Sequence, residues 1–166
     1  ITLQSKLPGV EQSIFAIMTA LANKHNAINL AQGFPDFNCS PKLLEFAYKH
    51  MKEGKNQYAP MPGHLPLKEK IARKMEKLYS CNYDPDKEIT ITAGGTQAIA
   101  TIISAMVKEG DEVIIFEPAY DSYIPSILVN KASPKYVQLE PPHYKIDWKL
   151  VKKHINYRTK LIIINS

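Results

Sequence analysis

Between residues 11 and 24 the apolar side chains Ile14, Ile17, Met18 and Leu21 recur every three or four positions. That is helical spacing, and Ser13 stands where a cap would. Residues 27–31 read as a short extended stretch running into Gln32-Gly33-Phe34-Pro35-Asp36-Phe37, where glycine and proline predict loop. A second helix is predicted from Pro41, with Ser40 as N-cap and proline in the first helical position. It should bury Leu44, Ala47, Tyr48 and Met51 and stop near Gly54. The segment Asn56-Gln57-Tyr58-Ala59-Pro60-Met61-Pro62-Gly63 breaks regular structure, and a third helix over 67–79 sets Leu67, Ile71, Met75 and Leu78 on one face.

From residue 89 the period changes. Residues 89–92 are a β-branched run, and Ala93-Gly94-Gly95 then leads into a helix over about 96–108 that Gly110 ends. Residues 112–116 read as a buried strand. Residues 120–130 read as helix, with Pro125 delaying or kinking it, and 134–139 as strand. Asp147 should cap a helix reaching Ile155, and 160–165 is another strand. Strands that alternate with helices and are apolar almost throughout imply a parallel sheet covered on both faces, so the fold class is α/β. Ligands in such sheets bind at the carboxyl ends of the strands. The last apolar strand meets Ser166 with no crossover after it, which is the expectation for a piece of a longer sheet.

Composition narrows the function classes. The 166 residues are 45% hydrophobic and 22% charged, which suits a globular domain with a sizeable core. No apolar run approaches membrane-spanning length, and residues 1–9 lack the features of a secretory leader, so no membrane partner and a cytoplasmic location are expected. Cys39 and Cys81 stand far apart, without metal-ligand spacing, and read as free thiols in a reducing compartment with no metal. The net charge of +5 invites nucleic acid. Yet Lys68-Glu69-Lys70 and Arg73-Lys74-Met75-Glu76-Lys77 have the pattern of a solvated helix face, and no nucleic-acid motif is present.

Three loops carry candidate chemistry. In Ala93-Gly94-Gly95-Thr96-Gln97 a strand passes through glycines into a helix. That is either a phosphate cradle built from the first N–H groups of the helix or an ordinary turn. In Glu117-Pro118-Ala119-Tyr120-Asp121-Ser122-Tyr123, at the same sheet edge, Tyr120 either offers a flat face to an aromatic ligand or packs in the core with its hydroxyl satisfied. Tyr123 either faces that ligand or packs in the core. Tyr58 lies in a proline-rich loop where an aromatic is more often a contact than a core residue. Gly33-Phe34-Pro35 is a rigid turn that either presents backbone N–H to a ligand or is only a turn.

The order of these segments resembles the class I/II aminotransferases along nearly the whole chain. The matching runs are Asn29-Leu30-Ala31-Gln32-Gly33-Phe34-Pro35-Asp36-Phe37, Gln57-Tyr58-Ala59-Pro60-Met61-Pro62-Gly63, Ile91-Thr92-Ala93-Gly94-Gly95-Thr96-Gln97-Ala98 and Glu112-Val113-Ile114-Ile115-Phe116-Glu117-Pro118-Ala119-Tyr120. The first run looks most like the methionine, kynurenine and glutamine aminotransferase branch.

The resemblance implies the fold-type-I pyridoxal-phosphate transferase architecture. Residues 1–40 would be an N-terminal arm joining the small domain, and 41–166 the start of the large cofactor domain. It implies pyridoxal 5'-phosphate as cofactor, its phosphate held by Gly95, Thr96 and Gln97 and its ring stacked on Tyr120, a position often Phe or Trp in the family. Tyr58 would reach the phosphate from the neighbouring subunit of a homodimer. Gly33 would lie beside the substrate carboxylate, Phe34 would line the side-chain pocket, and Tyr123 would lie near the ring.

The expected reaction moves an amino group from a methionine-type or aromatic amino acid to a 2-oxo acid. Alternatives are a β-lyase of the cysteine-conjugate type, an aminocyclopropane-carboxylate-synthase-like relative, and a non-catalytic module such as the domain of a transcription regulator. The lysine that binds the cofactor covalently would lie beyond Ser166, with its aspartate and arginine partners. The family's Asn-Pro-x-Gly motif would also follow Ser166, so Asn165 is not the cofactor asparagine.

Overall fold

The computed structural model describes residues 3–33 and 35–165. The chain divides into two compact units, Ile14–Thr92 and a second made of Ile1–Ser13 with Ala93–Ser166.

The second unit is built on a three-stranded parallel sheet with strand order β2-β1-β3. β1 (Glu112–Glu117) pairs with β2 (Ser133–Gln138) on one side and β3 (Thr159–Ile163) on the other. Being central, β1 is buried from Glu112 to Phe116. Its alternate side chains enter different cores, as the two-residue period of a strand requires. Val113 and Ile115 meet Ile103, Val107, Ile127 and Ala132, while Ile114 and Phe116 meet Val137 and Val151. Parallel strands joined by helices thus receive cover on both faces.

In this unit the helices are α4 (Gly95–Met106), α5 (Tyr123–Val129) and α6 (Trp148–His154). α5 begins three residues later than Tyr120. Its Pro125 falls in the first turn, where a missing N–H breaks no helical bond. α6 is capped as expected, Asp147 Oδ1 accepting from Lys149 N at 2.8 Å and Leu150 N at 3.3 Å. At the amino end of the sheet the buried carboxylate of Glu112 collects Asn156 Nδ2 at 2.8 Å, Arg158 Nη2 at 2.7 Å and Lys135 Nζ at 3.4 Å. The Asn156 hydrogen bond, then the two cations, hold its carboxyl below the ordinary value against the opposing effect of burial.

The first unit holds α1 (Ile14–Lys24), α2 (Pro41–Lys52) and α3 (Leu65–Tyr79). Three expectations change here. The burial predicted for Leu44, Ala47, Tyr48 and Met51 is not found, since every residue of α2 is exposed. No partner face lies over it among the described residues of its unit. Lys68 is not on a solvated face. It is 2% exposed, and Nζ donates to the Asp86 carbonyl at 3.1 Å with the Asp86 carboxylate at 3.8 Å. A long methylene stem packs under neighbours while one donor is satisfied. Residues 89–92 form no strand. Ile91 N donates to Pro62 O at 3.0 Å, so the segment is tied to the 60–63 turn instead of a ladder. Gly63, at φ 105°, allows this approach, because an added Cβ would collide with the Ile91 side chain.

Candidate functional site

The carboxyl end of β1 and the amino end of α4 meet. β1 ends at Glu117, the chain passes a cis Glu117–Pro118 bond, and a short loop carries Tyr120 before α5 opens at Tyr123. α4 opens at Gly95 after Gly94, whose φ of 98° is left-handed backbone suited to glycine. Gln97, in the first turn, turns its side-chain Oε1 back to accept from Ala93 N at 2.5 Å, which pins the entry to the helix. The first turn carries no acidic residue, so no side-chain charge of its own offsets the positive end of the helix dipole.

Gly95 is informative for a different reason. Its φ is not in the left-handed region, and a Cβ added there would meet no protein atom within 4 Å. Neither backbone strain nor packing asks for glycine at that position. A Cβ would only fill space outside the helix end.

Thr96 and Tyr120 come together across 24 residues, Thr96 Oγ1 lying 3.4 Å from Tyr120 Oη. Tyr120 is half exposed and Tyr123 is buried, and their rings meet edge to face with centroids 5.7 Å apart and planes at 76°. Tyr123 thus satisfies the core reading and still forms a wall for Tyr120. Ser122, at the N-cap of α5, has αR backbone angles rather than the extended ones a capping side chain needs. Its buried Oγ has no hydrogen-bond partner.

The structure brings Gly95, Thr96, Gln97, Tyr120 and Tyr123 to one edge. Gly33 and Tyr58 belong to the other unit. There Gly33 is exposed with open space around its Cα. Tyr58 is fully exposed, on the wall of an open groove of about 590 Å³ with His50, Lys55 and His64. Phe34 lies outside the described residues. Sequence reasoning missed the Thr96–Tyr120 contact; its one signal was tyrosine where a phenyl or indole ring would stack equally well. Chemically the edge offers an anion-accepting helix end with an aromatic face beside it.

Residues 25–166 match the family Aminotransferase class I and II. The chain belongs to this family. It is 48% identical to methionine aminotransferase of Escherichia coli over 163 residues, covering 98% of this chain and 42% of that protein. It is 38% identical over 164 residues to the probable N-succinyldiaminopimelate aminotransferase DapC of Mycobacterium tuberculosis, covering 98% and 41%. The solved structure of YbdL from Escherichia coli, described as having a methionine aminotransferase function, superposes with a TM-score of 0.93. That match is 47% identical and covers 98% of this chain and 42% of the other. The chain therefore spans about 42% of the length of these relatives. Class I and II aminotransferases are pyridoxal-phosphate enzymes of fold type I, and the parallel sheet with helices on both faces is part of that fold. Among the described residues no helix is long and apolar enough to cross a membrane.

Proposed function

We propose that this aminotransferase chain is part of an enzyme that moves an amino group from a methionine-type or aromatic amino acid to a 2-oxo acid. Bound pyridoxal phosphate supplies the electron sink that the exchange needs. The observation that carries the reading is the glycine-led amino end of α4, where Gly95 leaves open space and Thr96 touches Tyr120. The donor set fits a ligand with a phosphate at one end and a flat ring at the other. Gly95, Thr96 and Gln97 present backbone N–H and a hydroxyl to the phosphate, and the Tyr120 face takes the ring. With Gln97 Oε1 engaged by Ala93 N, what Gln97 has left to donate is its backbone N–H and its side-chain Nε2. Tyr123 holds the Tyr120 ring from its edge.

The further assignments rest on family likeness. Gly33 and Phe34 serve the substrate, and Tyr58 serves the phosphate of a neighbouring subunit in a cytoplasmic homodimer. Full exposure of Tyr58 is what such a reach needs. Residues 1–40 form the arm and small-domain segment, and 41–166 open the large domain. The lysine that binds the cofactor follows Ser166.

The test uses the full-length protein with pyridoxal phosphate and a panel of amino donors. Methionine and phenylalanine should outperform aspartate, and borohydride reduction should place the cofactor on one lysine beyond residue 166. Aspartate as best donor removes the substrate assignment. Pyruvate released from cysteine conjugates without any 2-oxo acid acceptor favours a β-lyase, and a protein that binds no cofactor favours a non-catalytic module.

A further inference from the structure

Stacking against a planar ligand needs an aromatic ring and nothing more. The hydroxyl of Tyr120 is therefore surplus to stacking, and it is placed against one particular partner. Oη lies 3.4 Å from Thr96 Oγ1, the side chain of the second residue of α4. Tyr120 sits in the loop between β1 and α5 and is 41% exposed. Two side-chain contacts bear on the tilt of its ring. One is the edge of Tyr123, which is only 8% exposed and cannot yield without disturbing the core. The other is Thr96.

A hydroxyl donates one hydrogen and accepts two. If Thr96 directs its hydrogen to an anion at the helix end, its lone pairs remain open to the hydrogen of Tyr120. Donation to an anion polarises the Thr96 oxygen and strengthens what it accepts. At 3.4 Å the Tyr120–Thr96 contact is longer than the roughly 2.5–3.0 Å usual between two hydroxyls, so it has room to tighten.

We propose that Tyr120 is a positioning residue as well as a stacking face: through Thr96 its hydroxyl couples the phosphate cradle to the ring platform. The ligand it serves is a phosphate monoester of a planar heteroaromatic alcohol, bound as one unit at both ends. The proposal rests on the cofactor site described above.

The test is a double-mutant cycle on the full-length protein with Tyr120→Phe, Thr96→Val and the double variant. The reading is the dissociation constant of pyridoxamine phosphate, which binds without joining a lysine, together with its induced circular dichroism. Each single change should weaken binding by about three- to tenfold, the range of one modest hydrogen bond. The double variant should be no worse than the weaker single one, a coupling of about three- to tenfold. Thr96→Ser should keep the coupling. With pyridoxamine, which lacks the phosphate, the coupling should vanish. Strictly multiplicative effects in a protein that binds pyridoxamine phosphate overturn this proposal alone. A wild-type protein that does not bind it overturns the cofactor reading and the proposal together.

Discussion

Helices α2 and α4 are both twelve residues long, and both carry an apolar stripe beside polar positions. α4 buries Ile103 completely against β1 and α5, whereas every residue of α2 is exposed, Leu44 by 56%. The contrast extends to their units. Around the sheet, the cores of alternate β1 side chains give each helix something to cover. In Ile14–Thr92 the one residue of the three helices that is fully buried is a lysine, Lys68. An amphipathic stripe shows which face seeks cover. Whether cover exists depends on residues far away in the chain.

The comparison breaks most readily at the core. Ile115→Ala should cost about 2–5 kcal/mol, since Ile115 has no exposed surface and the cavity would be lined by neighbours that are already packed. Leu44→Ala should change stability by less than about 0.5 kcal/mol in the 166-residue chain. Hydrogen exchange of the β1 and α2 amides reads both, and a loss at Leu44 as large as that at Ile115 would mean that α2 is covered in solution.

Two glycines sharpen it next. Gly63→Ala should destabilise the Ile14–Thr92 unit by about 1–3 kcal/mol, from left-handed backbone and collision with Ile91. Gly95→Ala, with open space and ordinary φ, should be neutral or stabilising by up to about 1 kcal/mol while weakening phosphate binding. Thermal unfolding with and without pyridoxamine phosphate separates the two effects.

Caps give a smaller contrast. Asp147 accepts two backbone hydrogens at the start of α6, whereas Ser40 makes no side-chain cap bond at the start of α2. Asp147→Ala should cost about 1 kcal/mol and Ser40→Ala almost nothing, by urea titration.

The most confined effect is at Glu112. Its pKa is lowered in the folded state, so its stabilising contribution is present above the unfolded carboxylate value of about 4.3. It is lost as pH falls through the lower folded value. Glu112→Gln should be less stable than wild type at neutral pH, with the difference shrinking below about pH 4. A pH-independent difference would mean that the carboxylate charge plays no part.

Element types were largely legible, because periods of two and of three to four leave a direct imprint on the order of side chains. The strands at 112–117, 133–138 and 159–163 and all six helices lie within a few residues of their expected places. Asp147 as a cap was legible for the same local reason. Residues 89–92 were not, because β-branched side chains state a preference for extended backbone and say nothing about which partner is available. Lys68 and Glu112 were illegible too, since burial of a charge depends on Asp86 in one case and on Asn156, Arg158 and Lys135 in the other.

At the candidate site the order of motifs pointed to Gly95, Thr96, Gln97 and Tyr120 and to the family the chain belongs to. The sequence by itself determined the α/β alternation, the glycines before α4 and the aromatic after β1, because each is a local property of a few neighbouring residues. Only the tertiary structure decided that Tyr123 is buried and that Tyr120 meets Thr96. The last contact joins residues 24 apart and exists because β1 and α4 are held edge to edge by a shared core.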